Sequence, residues 1–220
     1  MEPGVVMILA GIGVFIIGVI VLTRWFEKKR RDAWRQAADE LGILFAGEQN
    51  DVISRCGGMK VFSRGHSQSF RNAIEGDAGD TRITIGDYRY ITGSGKNRST
   101  HNQTVCVLES SEMDAPHCFL RRAVALFDKI GAMLGGQDID FAEDPAFSKA
   151  FVLQGEDEAA IRGLFDDRVR AWFVRQKGAN FCFEAWGNRL VFHRGRQEKP
   201  REARRLLQEA LEIMRLLAAK

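Results

Sequence analysis

The sequence has no C-x-x-C pair among its four cysteines, no G-x-S-x-G and no H-E-x-x-H. These absences remove the usual signatures of a zinc ribbon or thioredoxin-like site, an esterase nucleophile elbow and a zinc protease helix. No Pro/Ser/Gly-rich linker and no internal repeat divides the chain, so the residues beyond the first forty read as one domain with a real core. Charge is missing from Gly4 to Leu22 (GVVMILAGIGVFIIGVIVL), and no basic residue precedes that run.

Nineteen helical residues rise about 28 Å, close to the hydrocarbon thickness of a bilayer. A buried core helix would carry a polar stripe, and a cleaved signal would need a positive start and a small-residue cleavage site. Glu2 and Pro3 precede the run instead, and Leu22-Thr23-Arg24-Trp25-Phe26 offers no such site. The expectation is a transmembrane anchor over 1–25, followed by a basic juxtamembrane helix over 26–42 and a domain over 43–220.

Arg24, Lys28, Lys29, Arg30, Arg31 and Arg35 all follow the run. Basic residues next to a span stay on the cytoplasmic side. The expected topology is single-pass in the inner (plasma) membrane, N-terminus out, with the C-terminal domain in the cytoplasm. Arg24, Trp25, Lys28, Lys29, Arg30 and Arg31 are expected at the membrane surface, Trp25 in an aromatic belt. The segment 24–35 carries a net +4 while the whole chain carries +3, so the remainder sums to −1. That speaks against nucleic acid as a partner, which needs a basic patch on the folded domain. The bilayer is the expected partner, and a Gly4/Gly11/Gly18 stripe offers a face for a second helix or a second copy.

Short alternating segments follow. Ile43–Ala46, Met59–Phe62, Asn72–Glu75, Thr81–Ile91, Thr104–Leu108 and Cys118–Leu120 read as strands. Phe181–Trp186 and Arg189–His193 flank Gly187-Asn188 as a hairpin. Asp32–Leu41 reads as a helix continuing the span and stopped by Gly42. Ala123 to Leu134, Glu156–Lys177 and a segment after Pro200 also show helical spacing. The expected fold class is α+β, with a largely antiparallel sheet and packed helices behind the anchor.

Gly93-Ser94-Gly95-Lys96-Asn97-Arg98 resembles a phosphate loop but fails it. Tyr90 stands at the first glycine, and Asn97 at the Ser/Thr after Lys96. It reads as a loop between strands, extending to Gln103. Lys96, Arg98, His101 and Gln103 are its candidate ligand- or partner-binding residues, because loops concentrate such donors. Asp138, Asp140, Glu143 and Asp144 lack EF-hand spacing, since Glu143 and Lys149 fall at its sixth and twelfth positions. No metal site, cofactor or catalytic residue is expected. His117 and Cys118, as strand neighbours, point to opposite faces and cannot act as a pair. Glu184, beside Trp186, reads as a packed or paired carboxylate.

The stretches YRYITGSGKNRSTHNQTV (88–105), DIDFAEDPAFSKAFVLQGEDEAAIRGLF (138–165) and EAWGNRLVFHR (184–194) resemble an uncharacterised family of bacterial single-span membrane proteins. That resemblance implies the architecture of a span followed by a cytoplasmic domain. It carries no catalytic residues over. The expected function is a membrane-anchored interaction or scaffold module rather than an enzyme. The alternative is a membrane-surface enzyme or sensor in which Lys96, Arg98 and His101 hold an anionic headgroup or phosphate.

Overall fold

A computed structural model describes residues 3–123, 138–176, 178 and 180–218, with side chains from residue 11 onward. The helical spacing from Ala123 to Leu134 therefore falls almost wholly outside the described residues.

The chain begins with a 39-residue helix, α1 (Pro3–Leu41). Nothing between Thr23 and Asp32 breaks it, so the apolar run and the basic segment form one rod. Gly42 ends it at φ +71°. There the Ile43 N–H reaches back to the Ala38 carbonyl at 3.0 Å, a closure that needs a left-handed residue. Trp34, Ala37 and Ala38 on one face are buried. The last turns of α1 are thus part of the domain core.

Among the described residues no helix is long and apolar enough to cross a membrane. The described side chains that precede Arg24 start at Gly11. They account for roughly 20 Å of helix, short of a hydrocarbon core of about 30 Å. The rest of the expected span, residues 4–10, lies outside the described side chains. What is described is bare: Val14 and Phe15 are each 72% exposed.

The α+β class with an antiparallel sheet is observed. After α1 come β1 (Leu44–Gly47), α2 (Asp51–Arg55), β2 (His66–Ala78), β3 (Thr81–Thr92), β4 (Ser99–Ser110) and β5 (Ala115–Arg122). Then follow α3 (Pro145–Ala150), β6 (Phe151–Gly155), α4 (Glu158–Leu164), α5 (Asp167–Arg175), β7 (Cys182–Gly187), β8 (Arg189–His193) and α6 (Ala203–Ala218). The eight strands form one sheet in the order β1-β2-β3-β4-β8-β7-β5-β6, each neighbour antiparallel.

Strand alternation builds a core on each side of the sheet. Cys106 and Leu108 of β4, with Leu190 and Phe192 of β8, join a large cluster under α1 and α3–α6. Val105, Val107 and Val191 point the other way, into a smaller cluster closed by α2 and the turns after it. Met59, Val61 and Phe62 belong to that second cluster. They form hydrogen-bonded turns rather than the expected strand, with Phe62 N–H donating to the Met59 carbonyl at 3.0 Å. The expected helix over Glu156–Lys177 is two helices. Asp157 caps α4 by accepting from Ala160 N–H, and Asp166, in extended backbone, caps α5 by accepting from Val169 N–H. Arg170 bridges the break through its bond to the Phe165 carbonyl at 2.7 Å. Both helices face one core, so the apolar spacing runs through the break. There Phe173 stacks on Phe165 and Phe183 at 5.9 and 5.5 Å.

Candidate functional site

Ile83 and Ile85 of β3 face the α1 side of the sheet. Asp87 is next on that side and buried. Burying a carboxylate is costly unless its charge and lone pairs are met. Arg30 of α1 meets them with a two-pronged grip, Nε to Oδ2 at 2.7 Å and Nη2 to Oδ1 at 2.6 Å. Trp34 Nε1 donates at 3.1 Å, Asn72 Nδ2 at 2.9 Å and Thr104 Oγ1 at 3.3 Å. Asn72 sits at a β2 irregularity with φ 51°, a left-handed backbone that asparagine tolerates. Arg30 Nη2 also donates to the Glu198 carbonyl at 2.9 Å, and Glu198 N–H donates to Thr104 Oγ1 at 2.9 Å. One carboxylate therefore ties the neck of α1 to β2, β3, β4 and the segment before α6.

Beside this clasp, between α1 and the β2–β4 face, lies a cleft of about 580 Å³. Five arginines line it: Arg30, Arg31, Arg35, Arg71 and Arg89. Its carboxylates are Glu27, Glu48 and Asp87. Arg30 is committed to Asp87. Arg35 pairs with Asp32 at 3.3 Å and lies over the Phe45 ring at 5.2 Å. Arg31, Arg71 and Arg89 have no side-chain ion pair or hydrogen bond to another described residue. Sheet register holds two of them side by side. Arg71 pairs across from Asp87, and Arg89 is two residues further along β3, opposite Asn102. Arg71 and Arg89 are therefore diagonal neighbours across the β2–β3 pair, about 7–8 Å apart. The cleft thus presents guanidinium groups without partners among the described residues on the face of the β2–β4 strands, with Asn102 beside them as a neutral donor.

The expected loop residues are elsewhere. Lys96 lies in a short turn over Gly95–Asn97, and both it and Arg98 are exposed at the tip of the β3–β4 hairpin. The strand resumes at Ser99, so His101 and Gln103 are strand residues rather than loop residues. His101 stacks on Tyr90 at 4.7 Å, with its Nε2 2.8 Å from Thr92 Oγ1. Gln103 is buried. Both fall on the face away from the cleft, and none of these four residues lines it. Of the expected membrane-surface residues, Arg24, Trp25 and Lys28 are exposed on α1. Lys29 Nζ sits 5.2 Å from the Trp25 ring. Arg31 turns into the cleft, and Arg30 is the clasp. Asp87, Arg71 and Arg89 do not stand out in the sequence: Asp87 and Arg89 are polar positions within the expected strand Thr81–Ile91, and Arg71 falls just before the expected strand Asn72–Glu75. Gly11 and Gly18 meet nothing within 4 Å.

A second polar centre lies on the opposite face. Glu184 is buried and paired, with His117 Nε2 at 2.6 Å and the Lys60 N–H at 2.6 Å. Trp186 stacks on His117 at 4.7 Å. Lys60 Nζ donates to Gln154 Oε1 at 2.8 Å, and burial holds its pKa below the ordinary lysine value. Cys118 points away from His117 into the core, where burial pushes its thiol up to about 12. Burial likewise raises Cys56 and Cys182 to about 11. Thiols so placed are poor nucleophiles. In the acidic stretch, Asp144 caps α3 and Asp138 Oδ1 accepts from Gln154 at 2.8 Å. Among the described residues no group of three or more His, Cys, Asp or Glu side chains is placed to hold a metal ion.

No protein-family model matches the chain, and no curated protein matches it in sequence. A solved structure shares its fold. This is the mycobacterial trehalose monomycolate transport factor A, TtfA, superposing with a TM-score of 0.56 at 14% identity. The likeness covers 86% of this chain and 92% of that one. At such identity it concerns the fold alone.

Proposed function

We propose that the chain is a membrane-anchored module. In this reading α1 crosses the inner membrane once, N-terminus outside, and the α+β domain works in the cytoplasm as an interaction partner without catalysis of its own. The observation that carries it is the continuity of α1. Large apolar side chains from Ile12 to Phe26 stand open along a helix whose next turns are locked to the domain by Arg30 and Asp87. Exposed apolar surface on that scale marks a membrane or partner contact. The uncharged run upstream and the basic residues downstream support the membrane. The structural neighbour is named a transport factor, and a tethered accessory to a membrane transport process is a role this architecture suits.

Carbonate extraction of membranes from cells expressing the full chain is the direct test. The wild type is expected in the pellet, and a C-terminal tag should be protected from external protease in intact spheroplasts. Arg at both Val14 and Ile17 costs about 2.5–3.5 kcal/mol per charge in a span, and should move the chain to the supernatant. Wild-type chain in the supernatant, or a tag cleaved from outside, would overturn the reading.

A further inference from the structure

We propose that the cleft between α1 and the β2–β4 face binds a phosphate group presented by an anionic lipid headgroup, with Arg31, Arg71 and Arg89 as its ligands. The inference rests on the tethered reading and gives it a chemical contact. Arg31, Arg71 and Arg89, which have no ion-pair or hydrogen-bond partner among the described residues, line one cleft of about 580 Å³. The guanidinium fork matches phosphate oxygens two at a time, which a lysine does not. Two of the three are on strands whose register is fixed, so their backbone needs no ordering on binding, although their side chains still lose rotamer freedom. Glu27 and Glu48 also line the cleft. Glu48 already accepts from Asn50 Nδ2 at 2.6 Å, and Glu27 is exposed on α1.

Depth selects the lipid. Arg31 is five residues beyond Phe26, the last of the exposed apolar side chains on α1. At 1.5 Å per residue this is about 7 Å along the helix. The polar layer of one leaflet is roughly 5–8 Å thick. A helix that buries Phe26 at the edge of the hydrocarbon therefore carries the cleft to the level of the phosphates. The Arg30–Asp87 bond holds the cleft open at that level by fixing α1 against the sheet.

The test uses the full chain in nanodiscs of phosphatidylcholine alone or with phosphatidylglycerol, and the thermal midpoint of the domain as readout. The midpoint should rise with phosphatidylglycerol content and saturate, because a ligand held only by the folded state stabilises it by mass action. Arg71→Ala/Arg89→Ala should raise the lipid concentration for half-saturation by about ten-fold or more, as losing roughly 1.4 kcal/mol of binding does. Arg71→Lys/Arg89→Lys keeps the charge and loses the fork, and should fall between the two. Lys149→Ala/Arg175→Ala removes the same charge from exposed helical positions and should match the wild type. An unchanged midpoint in anionic discs overturns the proposal, as does an equal effect of the Lys149/Arg175 variant. Inorganic phosphate added to neutral discs separates the sources: saturation by free phosphate without any response to lipid overturns the lipid assignment. Membrane retention of each variant is scored in parallel. Full retention with no lipid response fails the cleft alone, and loss of wild-type retention fails the tether.

Discussion

Asp87 and Glu184 are buried carboxylates on opposite faces of one sheet, and they are compensated in different ways. Asp87 has a guanidinium, an indole, an amide and a hydroxyl around it. Glu184 has an imidazole and one backbone N–H. Asp87 joins elements far apart in sequence, α1 to the strands, through a cation whose charge does not titrate. Glu184 joins the turn at Lys60 to β5 and β7 through an imidazole and one backbone N–H. The first is built as a permanent joint. The second is a local tie within one face of the sheet.

The largest effect that would break this comparison is at the joint. Arg30→Met leaves a buried carboxylate without its cation and should cost about 3 kcal/mol. Arg30→Met/Asp87→Leu should recover much of that loss, because a matched apolar pair leaves no stranded charge. Chemical denaturation midpoints of the domain check both. Glu184→Ala should cost less, about 2 kcal/mol, for the unpaired Lys60 N–H and the His117 imidazole. If it costs as much as Arg30→Met, the two carboxylates are equivalent and the distinction fails.

The smallest effect is the pH response. Desolvation, then nearby Arg64, pushes the pKa of His193 down to about 4. Its Nδ1 accepts the Gly195 N–H at 3.1 Å, so the folded form favours the neutral ring. The folded pKa lies below the ordinary value of about 6.5, so the unfolded chain binds the extra proton first. This contribution to stability is full above about pH 6.5 and is lost as pH falls toward 4. Urea midpoints measured across that window should drop for the wild type and drop less for His193→Gln. The Arg30→Met/Asp87→Leu variant should keep the wild-type slope.

Alternation from Arg82 to Ile85 makes β3 legible in the sequence, and the apolar run Val105–Leu108 shows the centre of β4, while the polar half of β4 from Ser99 to Gln103 reads as loop. β6 was not legible. Phe151–Gly155 directly follows the last residue of α3, so its apolar residues merge with helical ones. The α4–α5 break was hidden for a related reason, although Asp166 carried the capping signal. At the cleft, Arg31 is visible as a charge following a long apolar run. Arg71 and Arg89 are not: Arg71 falls just outside the expected strand Asn72–Glu75, and Arg89, between Tyr88 and Tyr90, reads as a solvent-facing strand position. Their meeting depends on register between β2 and β3. The Arg30–Asp87 bond depends on a separation of 57 residues that no local pattern encodes. The basic cluster was read as uniform, yet one member is a structural pin and its neighbour turns into the cleft.

Because α1 has no hinge between its bare apolar half and the pin at Arg30, its two halves share one rotational phase. Each residue of helix advances that phase by about 100°. A single residue inserted between Phe26 and Arg30 would leave the composition of both halves intact and swing the domain by more than a quarter turn about the helix axis. The direction in which the sheet faces relative to the apolar half of α1 is therefore a matter of azimuth, set by counting residues along an unbroken shaft.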